Sequence, residues 1–191
     1  MNESIRKQII EVIETHQRMV VKLRESGIEI LTAAAEAIIK SFNHDGRVYL
    51  CGNGGSAADA QHVASELVGR FERQRRGLPA IALTTDTSVI TSIANDFDYE
   101  NVFAKQVESL VKKGDIFWAI STSGTSANVV KAAQLAKEKE ACVLAFTGKI
   151  NSKLEQIADI CFCADGLTAR SQEIHQLGFH SICKLVEQSF C

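Results

Sequence analysis

Four side chains that bind divalent metals or transfer protons occur in two pairs, far apart along the chain. His62 and Glu66 are four residues apart in the stretch QHVASELVGR, and Gln172 and His180 are eight apart near the other end. Residues four apart on a helix can meet, but such a pair is commonly only a solvated ion pair. Two imidazoles, a carboxylate and an amide oxygen suit zinc, and without a metal they suit acid–base catalysis. Spacing alone leaves these interpretations open.

A second cluster consists of hydroxyl groups. The segment STSGTS, Ser121–Ser126, places five hydroxyls and one glycine between an apolar run and a helix-like stretch. The N-terminus of a helix offers unpaired N–H groups and a partial positive charge, and hydroxyls add donors without adding net charge. The segment therefore predicts a phosphate cradle built without lysine. The alternative is a helix N-cap with surface serines, although one cap does not need five hydroxyls.

A glycine-rich loop, Gly52–Ser56, also joins an apolar run to a helix-like stretch. Its glycines allow a backbone to approach a ligand closely. In the spacing of Gly52, Gly54 and Gly55, however, Ala57 stands where a dinucleotide fingerprint has its last glycine, and no GKS or GKT follows. The loop therefore does not favour a nucleotide.

Five short, nearly continuous apolar runs would position these residues. They are Val48–Gly52, Ala80–Thr84, Ile116–Ser121, Cys142–Phe146 and Ile160–Ala164. Such runs are typical of strands buried on both faces of a parallel sheet. Predicted helices separate or follow them at Ala57–Phe71, Tyr99–Val111, Ala127–Lys139, Asn151–Ala158 and roughly Arg170–Phe190. The alternation predicts a doubly wound α/β sheet, with ligands at the loops Gly52–Ser56, Thr84–Ser88 and Ser121–Ser126.

Two amphipathic helices are predicted ahead of the sheet. One face of the first carries Ile5, Ile9, Val12, His16, Met19 and Leu23, at steps of three and four residues. Gly27 is a plausible stop, and a second stripe carries Leu31, Ala34, Ala35, Ile38, Ile39 and Phe42. The two helices would serve packing or oligomerisation, or would cover the sheet of their own chain.

Helical periodicity assigns faces to the two helices that carry the metal-type residues. The predicted core stripe of the first holds Ala60, Val63, Ala64, Leu67, Val68 and Phe71, beside a polar stripe of Asp59, His62, Glu66 and Arg70. The last helix would bury Ile174, Gly178, Ile182, Leu185 and Val186, with His175 at the core edge and without a role. Gln172 and His180 would lie about 12 Å apart along one straight helix, so a kink or a copy from another subunit would be needed to join them.

Composition favours a globular protein. The chain has 191 residues, of which 46% are hydrophobic and 23% charged, and its formal net charge is -2. We expect one domain over 1–191, with N-terminal helices in 1–43 and an α/β core with a C-terminal helix in 44–191. The small charge predicts neither nucleic acid nor a membrane surface as a partner. A charged start, six scattered cysteines and no membrane-length apolar run predict a soluble cytoplasmic protein with reduced thiols.

Four stretches together resemble the sugar isomerase (SIS) domain family, and more narrowly its bacterial phosphoheptose isomerases. They are CGNGGSAADAQHVASELVGR, NDFDYENVF, ISTSGTSANVVKA, and TARSQEIH followed by His180. The resemblance covers almost the whole chain. It implies a three-layer SIS sandwich, with a five-stranded parallel sheet flanked by helices and an N-terminal helical hairpin. It also implies a homotetramer whose active sites lie between subunits.

The implied reaction converts sedoheptulose 7-phosphate into D-glycero-D-manno-heptose 7-phosphate through an enediol, as the first step of ADP-heptose synthesis for lipopolysaccharide core. By motif match, the substrate would be held by Asn53, Gly54, Gly55, Ser56, Glu66, Asn95, Asp96, Ser121, Thr122, Ser123, Ser126 and Gln172. One zinc ion per subunit would be held by His62, Glu66, Gln172 and His180. Glu66 would act as base and His180 as its acid–base partner. A carboxylate bound to zinc is a weaker base, so the two roles of Glu66 compete.

Two departures and one rival class accompany the resemblance. Ser171 stands where an apolar residue is common and Gly178 is unusual, so either could alter the seating of the last helix. The rival is a non-catalytic SIS-domain protein, either a sugar-phosphate sensor or a replication-initiator-associating protein. Such a protein can keep the phosphate loop while losing the catalytic pair. Glu66 and His180 are both present, which favours the enzyme.

Overall fold

Five parallel strands form one sheet in the order β2-β1-β3-β4-β5. In the computed structural model, which describes residues 2–191, the strands are β1 (Val48–Cys51), β2 (Ala80–Ala82), β3 (Ile116–Ser121), β4 (Cys142–Thr147) and β5 (Ile160–Cys163). Each lies inside, or within one residue of, a predicted apolar run, so the parallel sheet is confirmed. The central strand β3 pairs with β1 on one side and with β4 on the other.

Helices cover both faces of this sheet. They are α1 (Asn2–Ser26), α2 (Ile28–Asn43), α3 (Gly55–Val68), α4 (Thr87–Asp96), α5 (Ala104–Leu110), α6 (Ala127–Glu138), α7 (Lys153–Ile157) and α8 (Thr168–Gln188). Side chains alternate along each strand, so Trp118 joins a core with α2, α3 and α8, and Phe117 joins a second core with α5 and α6. Helices on both faces of one sheet give the predicted three-layer sandwich.

The segment between β2 and β3 differs from its prediction. The helix α4 was not predicted, and it begins where Asp86 accepts a hydrogen bond from the N–H of Val89. It is only ten residues long, and its apolar residues Ile90, Ile93 and Ala94 pack on the second core while staying partly exposed. The predicted helix Tyr99–Val111 divides into a 3-10 turn, Tyr99–Asn101, and α5.

Two assigned core positions are wrong. Val68 is 51% exposed and Leu185 is 40% exposed. The helix α3 ends at Val68, so the chain turns away at Gly69 before the predicted stripe is complete, and Phe71 lies outside the helix. In α8 the residue that packs instead is Phe179, which is fully buried.

The N-terminal helices differ in how much they pack on the sheet of their own chain. Leu31, Ile38 and Phe42 of α2 pack into the core against the sheet. Met19 and Leu23 pack against that core from α1. The first half of α1 does not share this packing, because Ile5, Ile9, Ile10, Val12 and Ile13 are between 43% and 56% exposed. This half therefore presents apolar side chains that its own chain leaves uncovered.

The last helix is seated by residues that the sequence marked as unusual. A Cβ at Gly178 would lie 3.2 Å from ring atoms of both Phe146 and Phe162, so glycine permits the close approach. Ser171 is buried and donates a hydrogen bond to the carbonyl oxygen of Ala164 at 2.7 Å. His175, also buried, pairs its Nε2 with the carbonyl oxygen of Thr147 at 2.9 Å. It is thus a core residue rather than one at the core edge.

Across residues 2–191, no helix has the length and apolar character needed to cross a membrane. All six cysteines are free.

Candidate active site

The strand order brings the glycine-rich loop and the hydroxyl loop to neighbouring positions. β1 pairs directly with β3, with Cys51 beside Ala119, although β2 lies between them in the chain. The sheet order reverses direction at this pair, and such a switch point leaves a crevice at the carboxyl ends of the strands. The segments Gly52–Gly54 and Thr122–Ser126 leave the sheet there.

The hydroxyl loop forms a compact cluster of donors. The Oγ of Ser121 lies 3.3 Å from the Oγ of Ser123 and 3.2 Å from that of Ser126. The backbone turns through Gly124 at a φ of +63°, and its N–H donates to Ser121. The side chain of Ser126, at the start of α6, makes no capping hydrogen bond. The serines therefore face one another ahead of a helix N-terminus, as a phosphate cradle requires.

A pair of amides ties the two loops together. Asn53 Nδ2 donates to Asn128 Oδ1, and Asn128 Nδ2 donates back to Asn53 Oδ1, both at 2.9 Å. The hydroxyl of Tyr99 also donates to Asn53 Oδ1, at 3.3 Å. Asn128 is buried and was not among the predicted site residues. Its position at the first turn of α6, just beyond the hydroxyl loop, is the sequence signal that could have indicated it.

The helices α3 and α8 bring three of the predicted metal ligands together. His62 Nε2 lies 3.1 Å from Glu66 Oε1 and 3.4 Å from His180 Nε2. The donor atoms of these three residues all lie within 4.8 Å of one another. Ligands about 2.0–2.2 Å from a tetrahedral zinc lie about 3.3–3.6 Å from one another, so the three residues fit such an ion with little rearrangement.

Aromatic rings enclose the third ligand. The ring of His180 packs against Phe71 at 5.6 Å and against Phe179 at 5.1 Å, measured between centroids. Burial lowers the pKa of His180 below its usual value; the nearby His62 acts in the same direction, and Glu66 opposes both. His180 therefore favours the neutral imidazole, which is the form that binds a metal or accepts a proton.

Asp59 lies on the same face of α3, one turn before His62. It was assigned to a polar stripe, but it is buried, and its Oδ2 has no hydrogen-bond partner in residues 2–191. Burial raises the pKa of its carboxyl group, while a hydrogen bond with Gln176 and the charge of His62 oppose that rise. The buried surface beside His62 therefore includes one polar side chain, that of Asp59.

Gln172, the fourth predicted ligand, packs elsewhere in this chain. A Cβ at Gly55 would overlap its Nε2 atom, so its amide lies over the first residue of α3. His62 is seven residues further along α3, about 10 Å by helix geometry. Gln172 is therefore beside the glycine-rich loop, where the substrate was expected, and not beside the three ligands.

Asn95 and Asp96 are exposed at the end of α4, where Asn95 donates a hydrogen bond to the Asp96 carboxylate at 2.8 Å. In the described part of the chain neither has a side-chain hydrogen bond to another predicted site residue. Gly54 and Gly55 are exposed at the loop, whereas Ser56 is buried beneath it.

His62 and Glu66 of α3 and His180 of α8 form what we call the metal-type cluster. Together with the sheet order and the hydroxyl loop at the switch point, this cluster defines a SIS domain. A family model described as the SIS domain matches residues 11–148. The chain is 44% identical over 189 residues to a phosphoheptose isomerase of Roseiflexus sp. (strain RS-1), covering 98% of this chain and 96% of that relative. The chain belongs to the SIS domain family and, within it, to the phosphoheptose isomerases, which are aldose–ketose isomerases.

Solved structures agree with this placement. Phosphoheptose isomerase GmhA from Neisseria gonorrhoeae superposes with a TM-score of 0.91 at 37% identity, covering 96% of this chain and 99% of that one. A phosphoheptose isomerase from Francisella tularensis gives a TM-score of 0.92 at 34% identity, covering 95% of this chain and 97% of that one.

Proposed function

We propose that the protein converts sedoheptulose 7-phosphate into D-glycero-D-manno-heptose 7-phosphate through an enediol. The observation that carries this proposal is that His62, Glu66 and His180 converge on one point. That point lies beside α3, the helix that begins at the glycine-rich loop. A phosphate cradle and a proton-transfer site lie on adjoining elements, which is the arrangement a phosphorylated sugar needs.

The reaction moves a carbonyl from C2 to C1. A base takes a proton from C1, the enediol forms, and a proton returns to C2. Glu66 is the proposed base, since its carboxylate is partly buried and hydrogen-bonded only through His62 among the side chains described. His180 is the proposed acid–base partner, because its lowered pKa favours the neutral imidazole. As for Glu66, this role competes with zinc ligation, since His180 Nε2 cannot bind zinc and accept a proton at the same time.

Zinc is the proposed cofactor, one ion per subunit, held by His62, Glu66 and His180. The two imidazoles and the carboxylate form a borderline donor set that suits this ion. When bound, zinc would supply electrophilic stabilisation of the negative charge that develops on the substrate oxygens. Gln172 completes the proposed ligand set, and in this chain it lies beside Gly55 instead.

The substrate phosphate is proposed to bind at Ser121, Thr122, Ser123 and Ser126, where hydroxyl and N–H donors face one another. Asn53, Gly54, Gly55 and Ser56 would line the sugar, together with Glu66, Asn95, Asp96 and Gln172. Remote binding of the phosphate would fix the reacting end of the sugar over Glu66.

A homotetramer with active sites between subunits is the proposed assembly. Two observations support it: the uncovered apolar half of α1, and the position of Gln172 beside Gly55 rather than beside His62, Glu66 and His180. A neighbouring chain would bring such residues to the cluster. The proposed compartment is the cytoplasm, and the proposed pathway is heptose synthesis for lipopolysaccharide.

The deciding experiment is a coupled assay with sedoheptulose 7-phosphate and purified protein. We expect formation of the aldose 7-phosphate and, in deuterated water, incorporation of deuterium at C2. A protein that binds the sugar phosphate without turning it over would instead support the non-catalytic SIS class. The presence of both Glu66 and His180 favours catalysis.

A further inference from the structure

The segment that follows α3 folds around one buried carboxylate. Glu187, in the last turn of α8, is 2% exposed and accepts hydrogen bonds from the backbone N–H groups of Phe71, Glu72 and Arg73 at 2.7–2.8 Å. Burial favours the neutral acid, but these three donors, followed by Arg75, lower the pKa of the Glu187 carboxyl overall. The carboxylate thus dictates the path of residues 71–73.

Arg75 completes this arrangement from the other side. Its side chain is 1% exposed, and its Nε lies 3.4 Å from Glu187 Oε1. Its Nη2 donates to the carbonyl oxygen of Glu66 at 2.7 Å, and its Nη1 to that of Leu67 at 2.8 Å and of Gly69 at 3.2 Å. The last carbonyls of a helix lack partners within the helix, so the guanidinium satisfies carbonyls of the last turn of α3, that of Glu66 included.

The pair therefore joins the two helices that supply the metal-type cluster. Arg75 holds the backbone of Glu66 at the end of α3, and Glu187 belongs to α8, which carries His180. The same carboxylate fixes Phe71, whose ring packs on His180 with an interplanar angle of 31°. Among the ion pairs of residues 2–191, this is the only one in which both side chains are under a tenth exposed.

We propose that Arg75 and Glu187 are positioning residues for the isomerase, which act through Glu66, Phe71 and His180 without touching substrate. This inference rests on the proposed function for its catalytic readout. A buried ion pair does not have to add stability to be useful, because an apolar pair of similar volume often does as well. What it supplies here is a fixed separation between the Glu66 carboxylate and the His180 ring.

The test variant is Glu187→Gln, whose side chain has the same size but lacks the charge and one acceptor oxygen. The matched control is Asp115→Asn. Asp115 is also buried and accepts hydrogen bonds from two backbone N–H groups, those of Arg47 and Lys112, but it precedes the central strand β3, at the amino end of the strands. For each protein, kcat and KM for sedoheptulose 7-phosphate are measured, and zinc affinity is measured by competition with a chromogenic chelator.

We expect Glu187→Gln to lower kcat and zinc affinity by about tenfold or more, the range typical of residues that orient metal ligands. KM is expected to stay within about twofold, because the phosphate cradle is on other elements. Asp115→Asn is expected to leave all three values within about twofold, whatever its effect on thermal unfolding. Equal effects of both variants, or wild-type values in Glu187→Gln, would overturn the inference.

A second variant covers the case in which Glu187→Gln does not fold. Arg75→Lys keeps the positive charge opposite Glu187, but its single nitrogen cannot reproduce the planar fork in which Nη2 binds the Glu66 carbonyl and Nη1 binds those of Leu67 and Gly69. The same criteria then apply to it. If the wild-type protein itself fails to turn over the sugar phosphate, the proposed function is lost, while the zinc affinities of the variants still decide the positioning role.

Discussion

His62 and His180 place their Nε2 atoms 3.4 Å apart, although 118 residues separate them in the chain. Their helices run side by side in the same direction, because successive contacts ascend in both: Gly55 meets Gln172, and His62 meets His180. Two imidazole nitrogens that face each other at this distance can both bind one metal ion placed between them. The catalytic proposals depend on this relationship.

Replacing Glu66→Gln should abolish isomerisation while preserving the fold and sugar-phosphate binding. The amide cannot take a proton, and loss of a general base typically slows a reaction by about a hundredfold to ten-thousandfold. Turnover in the coupled assay and binding by calorimetry measure the two effects separately. The exposed carboxylate variant Glu138→Gln is the control. Normal turnover in Glu66→Gln would show that another group is the base.

Removal of metal should inactivate the enzyme reversibly. We expect one zinc per subunit by elemental analysis, loss of activity after exhaustive chelation, and recovery when zinc is restored. His62→Ala should hold no zinc, since it removes one of three convergent ligands. His44→Gln, at an exposed histidine, should retain zinc. Undiminished activity in protein with no detectable metal would remove the metal from the mechanism.

Gly178→Ala should destabilise the protein even though alanine is the better helix former. The helix propensity favours alanine by about 1 kcal/mol. Against this, the added Cβ would lie 3.2 Å from ring atoms of both Phe146 and Phe162, whose ring centroids are already only 4.9 Å apart. Such overpacking costs about 1–3 kcal/mol. We expect a net loss of about 1 kcal/mol, equivalent to about 2–4 °C in Tm. Gln188→Ala, at an exposed position of α8, serves as the control, and a higher Tm in Gly178→Ala would contradict the packing account.

His175 should make the fold sensitive to mild acid. Burial lowers its pKa to about 4, against an ordinary value of 6.5, so the folded state holds the neutral ring. The unfolded chain binds a proton more readily below pH 6.5, and the stabilisation present above that pH is lost as pH falls toward 4. The slope approaches about 1.4 kcal/mol per pH unit within this window. The free energy of unfolding, determined with urea at pH 7 and at pH 5, measures this loss of stability.

The comparison that isolates this effect uses His175→Phe and His44→Gln. We expect the pH dependence between 7 and 5 to be reduced in His175→Phe, although the variant also loses the hydrogen bond to Thr147. His44 is exposed, so His44→Gln should retain the wild-type dependence. Identical slopes in all three proteins would mean that other groups cause the acid sensitivity.

The sheet was predictable because its signal is local. Each strand is a short apolar run buried on both faces, as β3 shows from Ile116 to Ser121. The helix α4 gave a weaker signal, because it has ten residues and its apolar side chains Ile90, Ile93 and Ala94 are only partly buried. Helical periodicity is recognised over about 11–18 residues, so a helix this short repeats its apolar spacing too few times to stand out.

The candidate site also has a part that was predictable from local sequence and a part that was not. His62 and Glu66 share one helix, so their pairing follows from spacing, whereas His180 joins them only through the packing of α8 on α3. For Asn128 the only sequence signal was its place in the first turn of α6, since its partner Asn53 is 75 residues away. Glu187 could not be assigned from sequence, because the backbone groups that it binds lie about 115 residues away, and Arg75 is identified only through Glu187. Buried polar groups of this kind are recognised by their partners, and the partners are set by the fold.

The dependence of the cluster on α8 sets an order of events during synthesis. All five strands, the phosphate cradle and the His62–Glu66 pair emerge from the ribosome before Thr168, the first residue of α8. A nascent chain at that stage lacks His180 and the carboxylate of Glu187, and it also lacks Ile174, Phe179, Ile182 and Val186, through which α8 contributes to the core on one face of the sheet. If the proposed roles hold, catalytic competence is the last property that the growing polypeptide acquires.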